Sequence, residues 1–386
     1  MENKTLIRIT TVPISLEKLL SGQLLFMSNY YTVVAVSSEN KNLQKLGKSL
    51  GISTFYVQLT RQITPLKDFL ALVKLFLYFK RTKPFIVHTH TPKAGTVGMI
   101  AAKLAGVPNR LHTVAGLPLL ETLGKKRRLL DFVEKLTYSC ATKVYPNSFG
   151  LQEIIIQNHY CKLEKLKVLA NGSSNGIDTN YFNGDIITLQ EIKSLKNKLG
   201  IETNDFVFIF VGRLVADKGI NELVLAFQML QQQHVNIKLL LVGDYENELD
   251  PLFPETLEFI KTDKLIISTG FQYDVRPYFS ISNCLVFPSY REGFPNVVMQ
   301  AGAMNLPSIV TNINGCNEII IEGENGVIIP VKNKNAIFEA MNSFISNKTQ
   351  MEKMKQNARK MIVTRYEQSV VWNAILEEYN SFEKNV

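Results

Sequence analysis

Four cysteines occur in 386 residues, Cys140, Cys161, Cys284 and Cys316, with no C-x-x-C pair among them. That scarcity excludes a disulfide framework and a cysteine zinc site, and it fits a reducing cytoplasm. There are only five histidines. No acid completes a ligand set around them, so no metal is expected. Runs of 18 apolar residues are missing, so no spanning helix is expected. The opening strand-like run, residues 6–10, is too short and too interrupted for a secretory leader. Internal repeats of short period are also missing, which excludes a repeat architecture.

The chain does have ordinary globular composition, 46% hydrophobic and 20% charged, over a length that suits two domains with a core each. Its net charge of +9 is uneven. Residues 1–180 carry 24 Lys/Arg against 10 Asp/Glu, and residues 181–386 carry 19 against 24. A basic first half beside an acidic second half points to different partners for each. Nucleic acid is not expected, because the cations are not interleaved with aromatics and no reader motif is present. An anionic membrane surface or a diphosphate-bearing lipid fits the basic half better.

Short apolar runs alternate with helix-sized segments throughout. Strands are expected at 6–10, 32–37, 54–59, 85–89, 110–114, 144–147 and 168–170, then at 206–212, 238–243, 265–270, 284–288, 308–311 and 327–330. This pattern, met twice, predicts an α/β protein of two Rossmann-like domains with parallel sheets, facing one another across a cleft. The turn-rich segment 171–176 serves as the hinge, giving domains at 1–175 and 176–365. Ligands of such sheets bind at the carboxyl ends of the strands.

Two segments at strand ends carry the strongest chemical signal. Gly212-Arg213-Leu214-Val215-Ala216-Asp217-Lys218-Gly219 follows one strand. There Arg213 and Lys218 can converge on one diphosphate, Arg213 as a fork and Lys218 as a point charge. Glu292-Gly293-Phe294-Pro295 follows another and leads into an apolar helix pattern through Gln300-Ala301. A strand, a glycine turn and a helix start make an anion site, and a short acid on that turn reaches a polyol. A phosphate with a sugar attached fits this pocket.

Together these motifs resemble glycosyltransferase family 4, which has the GT-B fold, over nearly the whole chain. The first half is similar to bacterial surface-polysaccharide members through His88-Thr89-His90-Thr91-Pro92-Lys93-Ala94-Gly95, residues 112–118 and Tyr145-Pro146-Asn147-Ser148. The resemblance implies that Arg213 and Lys218 hold the donor diphosphate and that Glu292 binds sugar hydroxyls. It also implies that Gly212, Gly293 and Phe294 lie at the donor and that Phe271 flanks the base, with a core role for Phe271 as the alternative. The family pattern places a second glutamate on the nucleotide ribose, where this chain has Gln300. A neutral hydrogen bond contributes about 1 kcal/mol against about 1.5–3 for a charged one, so nucleotide binding is expected to survive. The last stretch, 366–386, is implied to be a helix returning to the first domain.

In the first half, His112 is read as ending a strand, near the donor sugar. His88 and His90 lie on one strand and are read as pointing to opposite faces, with His90 the better placed for the cleft. Ser15 suits a helix N-cap. Ser15, His90, Lys93, Gly116 and Asn147 are candidates for the cleft or acceptor side. Lys125-Lys126-Arg127-Arg128 precedes an apolar helical pattern and suits a lipid diphosphate or membrane surface. The apolar run 66–79, broken by Lys74, could also lie against a membrane surface, but it reads better as a helix packed on the sheet.

The implied activity is retaining, metal-independent transfer of a hexose or N-acetylhexosamine from a nucleotide diphosphate sugar, by family habit a UDP-sugar. The acceptor is a polyprenyl-diphosphate-linked saccharide, at or near the cytoplasmic membrane face. Two readings stand beside it: a nucleotide-sugar epimerase on the same fold, and a non-catalytic nucleotide-sugar-binding subunit prompted by Gln300.

Overall fold

The structure, a computed structural model, describes residues 4–384 apart from Ser21, Arg61, Ile63, Pro118, Leu120, Glu121, Asn247 and Leu249. Pro118 of the 112–118 motif therefore lies outside the described residues. The chain divides into two units, residues 1–176 with 369–386, and residues 177–368.

Among the described residues each unit holds one six-stranded parallel sheet. The first comprises β1 (Thr5–Ile9), β2 (Thr32–Ser37), β3 (Ser53–Tyr56), β4 (Ile86–Thr89), β5 (Asn109–Val114) and β6 (Lys143–Pro146) in the order β3-β2-β1-β4-β5-β6. The second comprises β7 (Phe206–Val211), β8 (Ile237–Val242), β9 (Ile266–Ser268), β10 (Cys284–Phe287), β11 (Ser308–Thr311) and β12 (Gly326–Ile329) in the order β12-β11-β10-β7-β8-β9. Both orders are the doubly wound pattern, in which the chain reverses direction of growth beside the first strand. That reversal opens a crevice between the ends of β1 and β4 in one unit, and of β7 and β10 in the other.

Helices cover both faces, so the strands read as unbroken apolar runs. Phe208, Ile209 and Phe210 of β7 are all fully buried. In the first unit one sheet face packs Ile7, Val34 and Val87 against helices Pro65–Thr82 and Pro92–Ala105. The other packs Leu6, Val33 and Ile86 against Val371, Ile375 and Tyr379 of helix Gln368–Glu383.

Residues 168–170 are not a strand. Ala170 takes a left-handed backbone (φ 49), which ends any extended run, and Leu169 is simply buried beside the sheet. Ser15 is not a cap either. Helix Pro13–Leu19 starts from Val12 with Pro13 at its first position, which needs no donor partner, and Ser15 falls inside the first turn.

His88 and His90 share a face, with ring centroids 4.2 Å apart. Side chains two apart on a strand lie on the same side, so the expectation of opposite faces is corrected. His112 does not end its strand, because β5 continues to Val114.

Candidate active site

The second unit assembles its site at its crevice. Residues after β7 turn through the short helix Ala216–Lys218 into Gly219, whose φ is +71. A Cβ at Gly219 would stand 2.2 Å from the Pro288 carbonyl oxygen, so only glycine lets this turn lie against the end of β10. The approach brings Lys218 Nζ within 2.5 Å of Glu292 Oε1 and 3.5 Å of Ser289 Oγ. Ser289 Oγ lies 3.0 Å from the same carboxylate oxygen. Lys218 and Glu292 are mostly buried, at 15% and 18% side-chain exposure, so their attraction is screened less than a surface pair's.

The two loops are laced together around this pair. Tyr290 N–H donates to the Asp217 carbonyl at 2.9 Å. Arg291 Nη2 donates to Asp217 Oδ2 at 2.8 Å. Asp217 N–H donates to Asp250 Oδ2 at 2.6 Å. From the other side, Asn314 Nδ2 donates to the carbonyls of Glu292 and Gly293. Gly315, with φ +78, leaves room for the Gly293 carbonyl where a Cβ would come within 2.6 Å. Helix Asn296–Ala303 starts directly after this turn with no side-chain cap, so its first N–H groups are available to an anion. Gln300 sits half-buried on that helix, and the Phe294 ring packs edge-on against Tyr366 at 5.4 Å.

Arg213 is placed differently from Lys218. Its Nη1 pairs with Glu246, and its side chain is 57% exposed. Arg213, Gly212, Asp244, Glu246, Phe271 and Gln272 are among the residues lining an open pocket of about 440 Å³, within the range of small-ligand sites. Phe271 is 58% exposed there, its backbone N–H held by Asp244 Oδ1 at 2.9 Å, so the core alternative for this ring falls away. Lys218 and Glu292 thus come together, while Arg213 and Phe271 share the neighbouring pocket. Asp217 and Glu246 were not singled out from the sequence. Asp217 lies inside the quoted motif, but its staple to Arg291 spans 74 residues and leaves no local signal.

In the first unit His88, His90, Thr113, Tyr145 and Asn147 line a cavity of about 10 Å³ at the carboxyl ends of β4, β5 and β6, room for about one water. His90 Nε2 and Asn147 Oδ1 have no hydrogen-bond partner among the described residues. Arg8, fully buried, donates to Tyr379 Oη at 2.6 Å and to Gln23 Oε1. Tyr379 Oη also lies 2.5 Å from His88 Nδ1, and His88 Nε2 lies 2.7 Å from Thr113 Oγ1. Lys93 is paired with Asp68, so it is not a free cation. Gly116 lies half-buried in the loop after β5.

His112 is 3% exposed and bonds Thr89 Oγ1 through Nδ1 at 2.8 Å. Burial brings its pKa down to about 4, against a smaller opposing effect of the Thr89 backbone. Burial likewise holds His88 and His90 well below 6.5. All three rings are therefore neutral at pH 7. Between pH 6.5 and about 4 the unfolded chain binds a proton at His112 that the folded chain refuses, so stability falls as pH falls. The loss from His112 alone should approach ~3 kcal/mol. Urea unfolding followed by the fluorescence of Trp372, the one tryptophan and a first-unit residue, should show it. His112→Asn should make the slope between pH 6.5 and about 5 shallower by up to one proton, the share of His88 and His90 remaining, and an unchanged slope would refute the assignment.

Comparison with known proteins gives the class. Residues 191–361 match the family described as Glycosyl transferases group 1, and residues 30–172 match the Glycosyl transferase 4-like domain. Two Rossmann-like units with these matches define a glycosyltransferase of the GT-B fold. The chain belongs to the group 1 glycosyltransferases, with a family 4-like first unit. It is 33% identical, over 100% of its length and 99% of the relative's, to the capsular polysaccharide biosynthesis glycosyltransferase CapM of Staphylococcus aureus. It is 30% identical to the UDP-Gal:alpha-D-GlcNAc-diphosphoundecaprenol alpha-1,3-galactosyltransferase of Escherichia coli, over 81% of this chain and 79% of that one. In fold it resembles a glycosyltransferase from Rickettsia africae (TM-score 0.81, 18% identity, 100% of both chains). It also resembles Anabaena HepE, solved in complex with UDP (TM-score 0.78, 20% identity, 98% of this chain and 100% of that one).

Proposed function

We propose that this glycosyltransferase moves a hexose or N-acetylhexosamine from a UDP-sugar to a hydroxyl of a polyprenyl-diphosphate-linked saccharide during synthesis of a cell-surface polysaccharide. The observation that carries the reading is the Lys218–Ser289–Glu292 cluster beside the pocket of Arg213 and Phe271. A pyrophosphoryl sugar needs a cation at the leaving phosphates, an acceptor for sugar hydroxyls and a flat surface for the base. Lys218, Glu292 and Phe271 supply these in turn, and Arg213 adds a second cation. The printed names of the Staphylococcus aureus and Escherichia coli relatives support the polysaccharide setting and the diphospholipid acceptor.

In this reading the diphosphate draws Lys218 away from Glu292 and frees the carboxylate for the sugar. The helix starting at Asn296 adds backbone N–H groups to the phosphates. Departure of the diphosphate leaves a phosphate oxygen to take the acceptor proton. The new bond forms on the face the phosphate leaves, with retention and without a metal. Gln300 meets the ribose by neutral hydrogen bonds.

A panel of nucleotide sugars in thermal shift tests the donor, since a ligand of the folded form raises Tm with occupancy. A UDP-sugar should shift Tm, and transfer to a polyprenyl-diphosphate saccharide should follow with the anomeric configuration kept. Gln300→Glu should tighten donor binding about fivefold, the gain from charging one hydrogen bond. Unchanged or weaker binding would remove Gln300 from the ribose.

A further inference from the structure

The helix Pro65–Thr82 packs Ala71, Leu75 and Phe79 inward, as its apolar pattern requires. Its opposite side is also apolar. Leu66, Phe69, Leu70 and Leu77 are 60–74% exposed. Apolar residues scattered singly on a surface are ordinary, but four on the outward side of one helix form a patch. The reading of 66–79 as an ordinary packed helix is therefore half right: one stripe is packed and a second is bare.

Helix Gly124–Cys140 repeats the arrangement. Leu129 and Phe132 are exposed on it, and Leu123 is exposed just before it. Lys125, Lys126 and Arg128 stand exposed among them. The acids of both helices are turned away from this cationic surface. Asp68 pairs with Lys93, and Asp131 pairs with Arg127 at 2.8 Å and also meets Tyr160. Glu134 is not exposed. The exposed charge of these two helices is therefore positive.

Both helices flank helix Pro92–Ala105 on one face of the first sheet. Each follows a strand of that sheet, so their first turns lie toward its carboxyl ends, where β4 and β6 deliver His90 and Asn147. No helix among the described residues is long and apolar enough to cross a membrane, so neither stripe is part of a span.

We infer that the outward faces of helices Pro65–Thr82 and Gly124–Cys140 are a docking surface for an anionic phospholipid bilayer. Leucine and phenylalanine side chains enter the acyl boundary, and Lys125, Lys126 and Arg128 meet the phosphates. Charge complementarity decides for this occupant, because a second copy of the chain would bring the same cations against themselves. The inference does not rest on the reaction proposed above. It adds to that reaction a bilayer held at the rim where a lipid-borne acceptor would arrive.

The test is sedimentation of the full chain with vesicles of phosphatidylcholine, alone or mixed with phosphatidylglycerol. The chain should pellet with the mixed vesicles and be released as salt rises from about 0.1 M to about 0.5 M, where screening shortens to a few ångströms. Leu66→Ser/Phe69→Ser/Leu70→Ser should weaken binding about tenfold or more. Lys125→Gln/Lys126→Gln/Arg128→Gln should abolish the preference for phosphatidylglycerol. The substituted side chains are exposed, so Tm should hold in both variants, and in the serine variant transfer to a short-chain, water-soluble acceptor should stay at the parent rate. That last readout separates failure of docking from failure of the proposed reaction. The inference is overturned if the parent chain stays in the supernatant with mixed vesicles, or if the serine variant binds them equally. It is also overturned if the parent self-associates without lipid and the serine variant does not, since a second copy would then own the face.

Discussion

Lys218→Ala is expected to lower kcat/KM for sugar transfer by about a thousandfold, the scale for removing a fixed charge from a developing anion. Gly219 presses the turn that carries Lys218 against the end of β10, and Lys218 Nζ sits 2.5 Å from Glu292, so the cation waits beside the site and moves only its side chain to the diphosphate. Most of the loss should fall on kcat, because the charge on the leaving diphosphate grows in the transition state. Glu292→Gln should cost about a hundredfold, since an amide still meets sugar hydroxyls. The double variant should lose less than the product of the two, because the residues touch. Steady-state kinetics on purified variants checks this. Activity within tenfold of the parent in Lys218→Ala would dissolve the proposed donor site.

The second large effect is on stability. Tyr379→Phe removes one oxygen that serves two buried groups, Arg8 Nη1 and His88 Nδ1. Arg8 is fully buried, and burial already lowers its pKa against the raising effect of Tyr379. Leaving a buried charge short of a partner should destabilise the first unit by about 3 kcal/mol. Chemical denaturation read at Trp372 measures it. Arg8→Met combined with Tyr379→Phe should be more stable than the sum of the single losses predicts, by about 1–3 kcal/mol. Strict additivity would show that the bond carries no coupling.

The strands were largely legible. A parallel strand covered on both faces must be apolar throughout, and Phe206–Val211 announces itself on that ground alone. The order of the strands was not, because β7 lies beside β10 through pairing between residues as far apart as Phe208 and Cys284. The same distance hides the site. Lys218 and Glu292 are 74 residues apart, and nothing in their spacing brings them together; the resemblance to a family did. Resemblance could not reveal that Arg213 is held by Glu246, a pairing that depends on the loop after β8. The histidine faces were misread although the period-2 rule suffices to place them together. The bare stripe of helix Pro65–Thr82 was hidden for a simpler reason. An apolar run says that a helix has something to bury, and not how many of its sides find a partner.

The first unit is built from two separated stretches of chain, 1–176 and 369–386, and the second from one continuous stretch, 177–368. On a ribosome, which delivers residues in order, the second unit is therefore complete before the first. Arg8 and His88 emerge early and wait for Tyr379 through almost the whole of synthesis. The nascent N-terminal half holds Arg8 without its tyrosine partner and a sheet face without its last helix until the end of translation. A stop codon before Trp372 would leave it so permanently.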